Sequence, residues 1–202
     1  MGKELTVEIT SRCNARCWWC SSEAGIDGEH VPCAEIMERI EPFIDVCDTV
    51  RISGGEPTLH PDLVPLVNRC VAKFDHVVIL TNGKILVENI PRSVEFHVSF
   101  VNAVSEYTIK VLVKKGYRVT VTSVLTHDAN VDRALNLAHE LGIPCHLYHL
   151  QPQGRARGSD DLVTVTGTSG CSRASKVAIT HDGRVMACSS EKEGLNCRIC
   201  KQ

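Results

Sequence analysis

The sequence predicts an α/β fold built on a parallel sheet. Six short runs rich in β-branched and other apolar residues alternate with segments whose apolar residues recur at helical spacing. That βα order winds parallel sheets rather than sandwiches. The segments with unusual chemistry, cysteine-rich or glycine-rich, also follow strand runs. Parallel α/β folds place their sites there, because strand ends and helix N-termini converge on one rim.

Residues 5–10 read as a first strand that delivers a cysteine-rich loop, residues 34–46 as a helix, and residues 49–53 as a second strand ending at a glycine pair. Pro61-Asp62 can start a second helix, with Leu63, Leu66, Val67, Cys70, Val71 and Phe74 as its stripe. Residues 76–80 form a third strand stopped by Thr81-Asn82-Gly83, and residues 84–92 leave room only for a stunted helix. A fourth strand follows over 94–101, then a helix over 105–115 closed by Gly116. Residues 118–125 are strongly β-branched and make a fifth strand. A helix over 131–141, ended by Gly142 and Pro144, leads to a sixth strand over 145–150.

With 202 residues, the chain has room for one substantial core and a small appendage. Apolar residues at 43% and charged residues at 23% are ordinary for a soluble globular protein. Lys+Arg of 22 against Asp+Glu of 24 gives a net charge of -2, so no basic field points to nucleic acid. No apolar stretch is long enough for a membrane span and no signal peptide opens the chain, so a cytoplasmic location is expected. In that reducing setting, eleven cysteines read as metal ligands before they read as disulfides.

The run Cys13-Asn14-Ala15-Arg16-Cys17-Trp18-Trp19-Cys20 spaces three thiols as C-x3-C-x2-C. A [4Fe-4S] cube has four iron corners, so three thiolates leave one iron open to bind and reduce a small molecule. Taken alone, a CxxC-type run would serve zinc equally well. Downstream, the second strand ends at Gly54-Gly55-Glu56-Pro57, where glycines let backbone amides and carbonyls approach a ligand's polar head.

In this order the two motifs resemble the radical S-adenosylmethionine (SAM) superfamily. The resemblance implies that Cys13, Cys17 and Cys20 hold a [4Fe-4S] cluster whose fourth iron is chelated by the amine and carboxylate of SAM. It implies that Gly54, Gly55 and Glu56 contact that amine and that Trp19 lies near the adenine. It makes residues 1–150 a partial (β/α)6 TIM-like barrel. Ser99 would then face the SAM ribose, with Ser123 and Asn130 as further polar contacts. A sheet serine satisfied by its neighbours is the alternative for Ser99. A one-electron donor such as ferredoxin or flavodoxin is implied as a partner.

After Leu150 the composition turns polar, with Gly154, Arg155 and Arg157 in a segment suited to a link or an active-site loop. The two arginines offer planar forks for a carboxylate or phosphate, or else a solvated basic loop. Asp182-Gly183 between two short apolar runs signals a hairpin, bracketed by Cys171 and Cys188 and followed by Cys197 and Cys200. Four thiolates complete the ligand set of one tetrahedral metal or one [4Fe-4S] cluster. The grouping looks like a twitch domain, the shortened relative of the SPASM appendage on radical SAM enzymes. Residues 151–202 would then be a small cysteine-rich domain carrying a second [4Fe-4S] cluster, with a structural zinc as the other reading.

Cys33, Cys47, Cys70 and Cys145 fit neither set; the last three read as core, and Cys33 has some reach toward the cavity. Alternation on the sixth strand puts His146 and His149 on opposite faces. The implied reaction is reductive cleavage of SAM to a 5'-deoxyadenosyl radical that takes hydrogen from a peptide or protein side chain or from a small metabolite. Oxidation or cross-linking assisted by the second cluster would follow. The chain ends Lys201-Gln202, without the glycine pair that closes GTP 3',8-cyclases, which argues against a nucleotide cyclase. An activase that installs a radical on a partner enzyme, or an electron-transfer protein that never consumes SAM, are the competing classes.

Overall fold

The computed structural model describes residues 3–126, 130–150, 154–157 and 176–186. Its elements are β1 (Glu4–Glu8), α1 (Cys33–Ile40), β2 (Thr49–Ser53), α2 (Leu63–Val71), β3 (His76–Thr81), β4 (Glu95–Ser99), α3 (Ala103–Lys114), β5 (Arg118–Leu125), α4 (Asn130–Leu141), β6 (Cys145–His149), β7 (Lys176–Ile179) and β8 (Val185–Met186). They form one eight-stranded sheet in the order β6-β5-β4-β3-β2-β1-β7-β8. Strands β1 to β6 pair in parallel, each with its neighbour in sequence. β7 joins the far side of β1, also in parallel, and β8 returns antiparallel on β7.

Local chemistry fixes several boundaries. The helix expected over 34–46 ends at Ile40 because Pro42 cannot continue it, and Glu41–Phe43 tightens into a 3-10 turn. α3 begins at Ala103, ahead of the expected 105, because Asn102 and Ser105 form a reciprocal capping box. Gly116 closes the same helix in the left-handed region at φ 80°. The stunted helix expected over 84–92 is absent. That connection is irregular, with Asn89 at φ 60° and Pro91 beyond it.

Alternation then sorts the sheet into two different faces. Leu5, Val7, Val50, Ile52, Val77, Ile79, Phe96, Val98, Val119 and Val121 point one way and pack with Ile36 and Ile40 of α1, Leu66 and Val67 of α2, Ile109 of α3 and Leu137 of α4. Each fully buried side chain of this kind contributes about 1.5–3 kcal/mol. All four helices therefore cover the same face, a single winding rather than that of a doubly wound sheet. The opposite parity carries Thr6, Thr49, Arg51, Glu95, His97, Ser99, Thr120 and Thr122, and no described helix packs on it.

The predicted hairpin exists, but it extends the main sheet: β7 pairs with β1 from Glu4 to Val7. Arg39 on α1 fastens its turn by donating to the carbonyls of Thr180 at 3.3 Å and His181 at 2.8 Å. No helix among the described residues is long and apolar enough to cross a membrane.

Candidate functional site

Beyond β1 the chain runs out and back, making isolated bridges between Thr10 and His30 and between Arg12 and Gly25. The cysteine segment is the tip of this loop. At its base Ser11 N–H donates to the Glu29 carbonyl at 2.9 Å and Cys13 N–H to the Gly25 carbonyl at 2.8 Å. The Thr10 hydroxyl donates to the Glu29 carbonyl at 2.8 Å. It accepts from Arg12 N–H at 3.0 Å, so its 2.9 Å contact with His30 Nδ1 is a bond in which the imidazole donates.

The glycine pair lies directly against the backbone of the cysteine loop. A Cβ on Gly54 would sit 2.3 Å from the Thr10 carbonyl oxygen, and one on Gly55 2.3 Å from that of Arg12. Gly54 also has φ +138°. The missing side chains make room for the backbone of the cysteine loop, which Gly55 N–H and Glu56 N–H bind at Thr10 O (2.7 Å) and Arg12 O (2.8 Å). On the other side a Cβ on Gly28 would meet Ser11 backbone carbon at 2.3 Å. The loop base is thus held between glycines that no larger residue could replace in place.

Glu56 is 1% exposed, and its carboxylate gathers the rim. Oε1 accepts from Thr58 N–H (3.1 Å), the Thr58 hydroxyl (2.6 Å) and the Thr81 hydroxyl (2.7 Å), while Oε2 accepts from Asn82 N–H at 2.7 Å. Asn82 carries the tie onward: its amide nitrogen donates to Asn14 Oδ1 at 2.8 Å and lies 3.9 Å from Cys13 Sγ. Lys84 Nζ donates to the Asn14 carbonyl at 3.0 Å. From the end of β6, Arg155 reaches the same loop, with Nε 2.9 Å from the Cys17 carbonyl.

Cys13, Cys17 and Cys20 come together in a small apolar cluster with Ala15 and Ala24, separate from the main core. Burial pushes the Cys13 thiol up, and the nearby Glu56 and Cys20 add to the effect. Burial likewise raises Cys17, helped by Cys20 and Cys13 and opposed by Lys84 and Arg155. Loading a metal cluster therefore has to release protons held more tightly than in a free thiol. Three soft thiols with no carboxylate or imidazole in the set are the donor chemistry of iron-sulfur centres. Among the described residues no group of three His, Cys, Asp or Glu side chains is gathered to hold a single metal ion.

The remaining sequence candidates spread along the rim. Trp19 is half-buried and packs edge-to-face on Trp18, ring centres 5.6 Å apart. Ser99 is exposed on the helix-free face, its Oγ 3.2 Å from Thr122 Oγ1. Ser123 is buried and shares the parity of Val119 and Val121, which face the helices. Asn130 opens α4. His146 lies exposed on the helix-free face, its ring 5.8 Å from that of His97. Cys47 and Cys70 are buried in the main core, with Cys33 and Cys145 packed against it. Cys171, Cys188, Cys197 and Cys200 lie outside the described residues.

Sequence reasoning missed the structural partners of the loop, Asn82, Lys84 and Arg155. Thr81-Asn82-Gly83 reads as a strand stop, and only the folded rim brings it beside Asn14. Arg155 was expected to grip a ligand or face solvent, and it grips the loop's own carbonyls instead.

Comparison with known proteins agrees with this geometry. The chain is 32% identical over 84 residues to a probable GTP 3',8-cyclase of Pyrococcus abyssi, covering 41% of this chain and 28% of the relative. It is 37% identical over 79 residues to 7-carboxy-7-deazaguanine synthase of Halobacterium salinarum, covering 38% of this chain and 30% of the relative. The matched part thus spans less than a third of either relative's length. The fold superposes on Streptococcus suis SuiB bound to S-adenosylmethionine with a TM-score of 0.73 at 14% identity, covering 97% of this chain and 62% of SuiB. The radical SAM superfamily model matches residues 7–154, from β1 through the cysteine loop and the glycine rim to Gly154, and the chain belongs to that superfamily.

Proposed function

We propose that this chain is a radical SAM enzyme that abstracts a hydrogen atom from a peptide or protein side chain, or from a small metabolite, held against the helix-free face of the sheet. That face is taken as the interior of a partial barrel. The observation carrying the reading is the loop of Cys13, Cys17 and Cys20 pinned by backbone bonds to Gly55 and Glu56 at the C-terminal rim of a parallel sheet. When bound, a reduced [4Fe-4S] cluster supplies the electron that splits SAM into methionine and the 5'-deoxyadenosyl radical.

The protein's part is to hold, orient and shield. The three thiolates hold the cluster and leave one iron for the SAM amine and carboxylate. Glu56, already fixed by Thr58, Thr81 and Asn82, gives the amine a rigid negative neighbour rather than a mobile one. Trp19 offers an apolar wall for the adenine. Ser99, on the helix-free face, is the polar contact for the ribose, with Asn130 at the start of α4 as a further one, whereas Ser123 faces the helices and drops out of the set. In this proposal residues 151–202 form a twitch-like region in which Cys171, Cys188, Cys197 and Cys200 hold a second [4Fe-4S] cluster, or zinc. Such a cluster would take an electron from the substrate radical, giving a dehydrogenated or cross-linked product. Ferredoxin or flavodoxin in the cytoplasm would supply the reducing electron.

A second reading has its own support: the relatives that match at 30% identity or above include a probable GTP 3',8-cyclase. Radical cyclisation of a purine nucleotide is therefore tested alongside.

Anaerobic reconstitution of the chain should yield about eight irons for two cubane clusters and about four for one. With dithionite and SAM it should release 5'-deoxyadenosine, and Cys17→Ala should abolish that release. Cleavage that survives Cys17→Ala would overturn the assignment of the cluster ligands, whereas its absence from the loaded wild-type chain would remove the enzymatic reading in favour of electron transfer. Mass spectrometry of GTP and of candidate peptides after turnover separates the two substrate classes.

A further inference from the structure

We infer that Arg155 is a positioning residue for the cluster loop: docked from beyond β6, it clamps the loop's carbonyls, and thereby sets the rigidity of the loop and the reduction potential of the cluster that the loop carries. Four bonds converge from this one residue. Its backbone N–H donates to the Cys20 carbonyl at 3.0 Å. Its Nε donates to the Cys17 carbonyl at 2.9 Å, and both terminal guanidinium nitrogens donate to the Ala24 carbonyl at 3.1 Å.

The approach is built into the backbone. Gly154 has φ +55°, and a Cβ there would lie 2.5 Å from the Cys20 carbonyl oxygen and 2.8 Å from that of Ser21. Only glycine lets the segment come close enough for its neighbour to reach three carbonyls. The contact joins residues 138 apart in sequence, so the cysteine loop receives its final shape when the chain beyond β6 has docked. A planar five-donor fork suits this role, since it meets several fixed carbonyls with little further loss of side-chain freedom.

The electrostatic consequence follows from charge. Arg155 fixes a permanent cation one hydrogen bond from the ligand-bearing backbone, and Lys84 places a second at Asn14. A cluster gains negative charge on reduction, so nearby fixed cations favour its reduced state. The inference rests on Cys13, Cys17 and Cys20 holding the cluster, and it adds a role for a residue outside the ligand motifs.

The test compares full-length wild type with R155A, R155K and G154A. Hydrogen exchange is followed first in the cluster-free chain, at the amides of Cys13 and Cys20. Loss of charge-assisted bonds of about 1.5–3 kcal/mol should speed loop exchange about 10- to 100-fold in R155A and G154A, while β2 to β5 keep their protection. After anaerobic reconstitution, an EPR-monitored redox titration should give R155A a more negative midpoint than wild type. R155K, which keeps the charge and loses the fork, should exchange faster at the loop yet hold a midpoint between the two. Loop exchange unchanged in both Arg155 variants, or an R155A midpoint at or above that of wild type, would overturn the inference. If R155A proves insoluble, R155K and G154A carry the exchange test. A wild-type chain that binds no iron would instead overturn the cluster assignment, with the exchange result still standing on its own.

Discussion

The rim of the helix-free face and the region nearer its strand starts are built by opposite means. At the rim, the cysteine loop is held mainly by its own main chain: the amides of Gly55 and Glu56 meet the carbonyls of Thr10 and Arg12, and Lys84 and Arg155 meet those of Asn14, Cys17, Cys20 and Ala24. Lower on the strands, side chains satisfy one another. Arg51 donates to His97 Nδ1 at 3.0 Å and reaches Glu4 at 3.4 Å, and His97 Nε2–H donates to Glu95 Oε1 at 2.9 Å, where the Thr120 hydroxyl also donates at 3.1 Å. The contrast teaches a division of labour. A ligand loop held by its backbone keeps its thiols free to bind metal, whereas a network that uses up its own donors and acceptors gives a fixed, polar floor.

Breaking the rim should have the larger effect. Gly55→Ala drives a Cβ to within 2.3 Å of a backbone oxygen, and backbone cannot swing aside as a side-chain end can. The expected outcome is a loss of about 1–3 kcal/mol or more of stability and a fall in iron retained per chain after reconstitution. Iron loading equal to wild type would mean that the loop tolerates a displaced base.

The floor should yield less. Arg51→Met removes a guanidinium whose side chain is 16% exposed and leaves His97 Nδ1 without its donor. Because its partner Glu4 is a third exposed, the cost should be about 1–2 kcal/mol in urea unfolding, with loop hydrogen exchange unchanged. A change in cysteine-loop exchange in this variant would show that the two regions are coupled.

The smallest effect is a pH slope. Burial, with the Arg51 guanidinium beside it, holds the His97 imidazole below its ordinary 6.5, although Glu95 pulls the other way. The folded chain therefore binds this proton less readily than the unfolded one. The stabilisation is complete above pH 6.5 and is lost as the pH falls from there through the folded value. Unfolding free energies measured from about pH 7.5 down to about pH 5 should decline in wild type and decline less steeply in His97→Gln, with His30, also held below 6.5 by burial, keeping part of the slope. Glu95 acts in a lower window. Burial works against its charge, yet bonds from His97 and Thr120 hold its carboxyl below the usual carboxylate range, so its contribution is lost only as the pH falls under about 4.5.

Much of the fold is legible in the chain. The β-branched run at 118–125 and the short apolar run at 49–53 match β5 and β2 residue for residue, because strand signals there are local and bounded by turn residues. The irregular passage over 84–92 was not legible: its place between two strands suggests a short helix, but Leu86 and Val87 pack against the core from a segment that also has to carry Lys84 to the cysteine loop. At the site, the thiol spacing and the glycine pair stand out in the sequence. The packing of the glycines against the cysteine loop does not, since a missing Cβ looks the same in sequence whatever backbone or ligand lies beside it.

The sequence by itself determined the donor set, the parallel α/β class and the alternation that makes one face polar, all properties of residue type and short spacing. Tertiary structure alone decided that β7 lies beside β1, that Glu56 turns to Thr81 and Asn82, and that Arg155 closes on Cys17. Each of these joins residues far apart in the chain, and such partners are chosen by which backbone groups and charges remain unsatisfied once the sheet has formed.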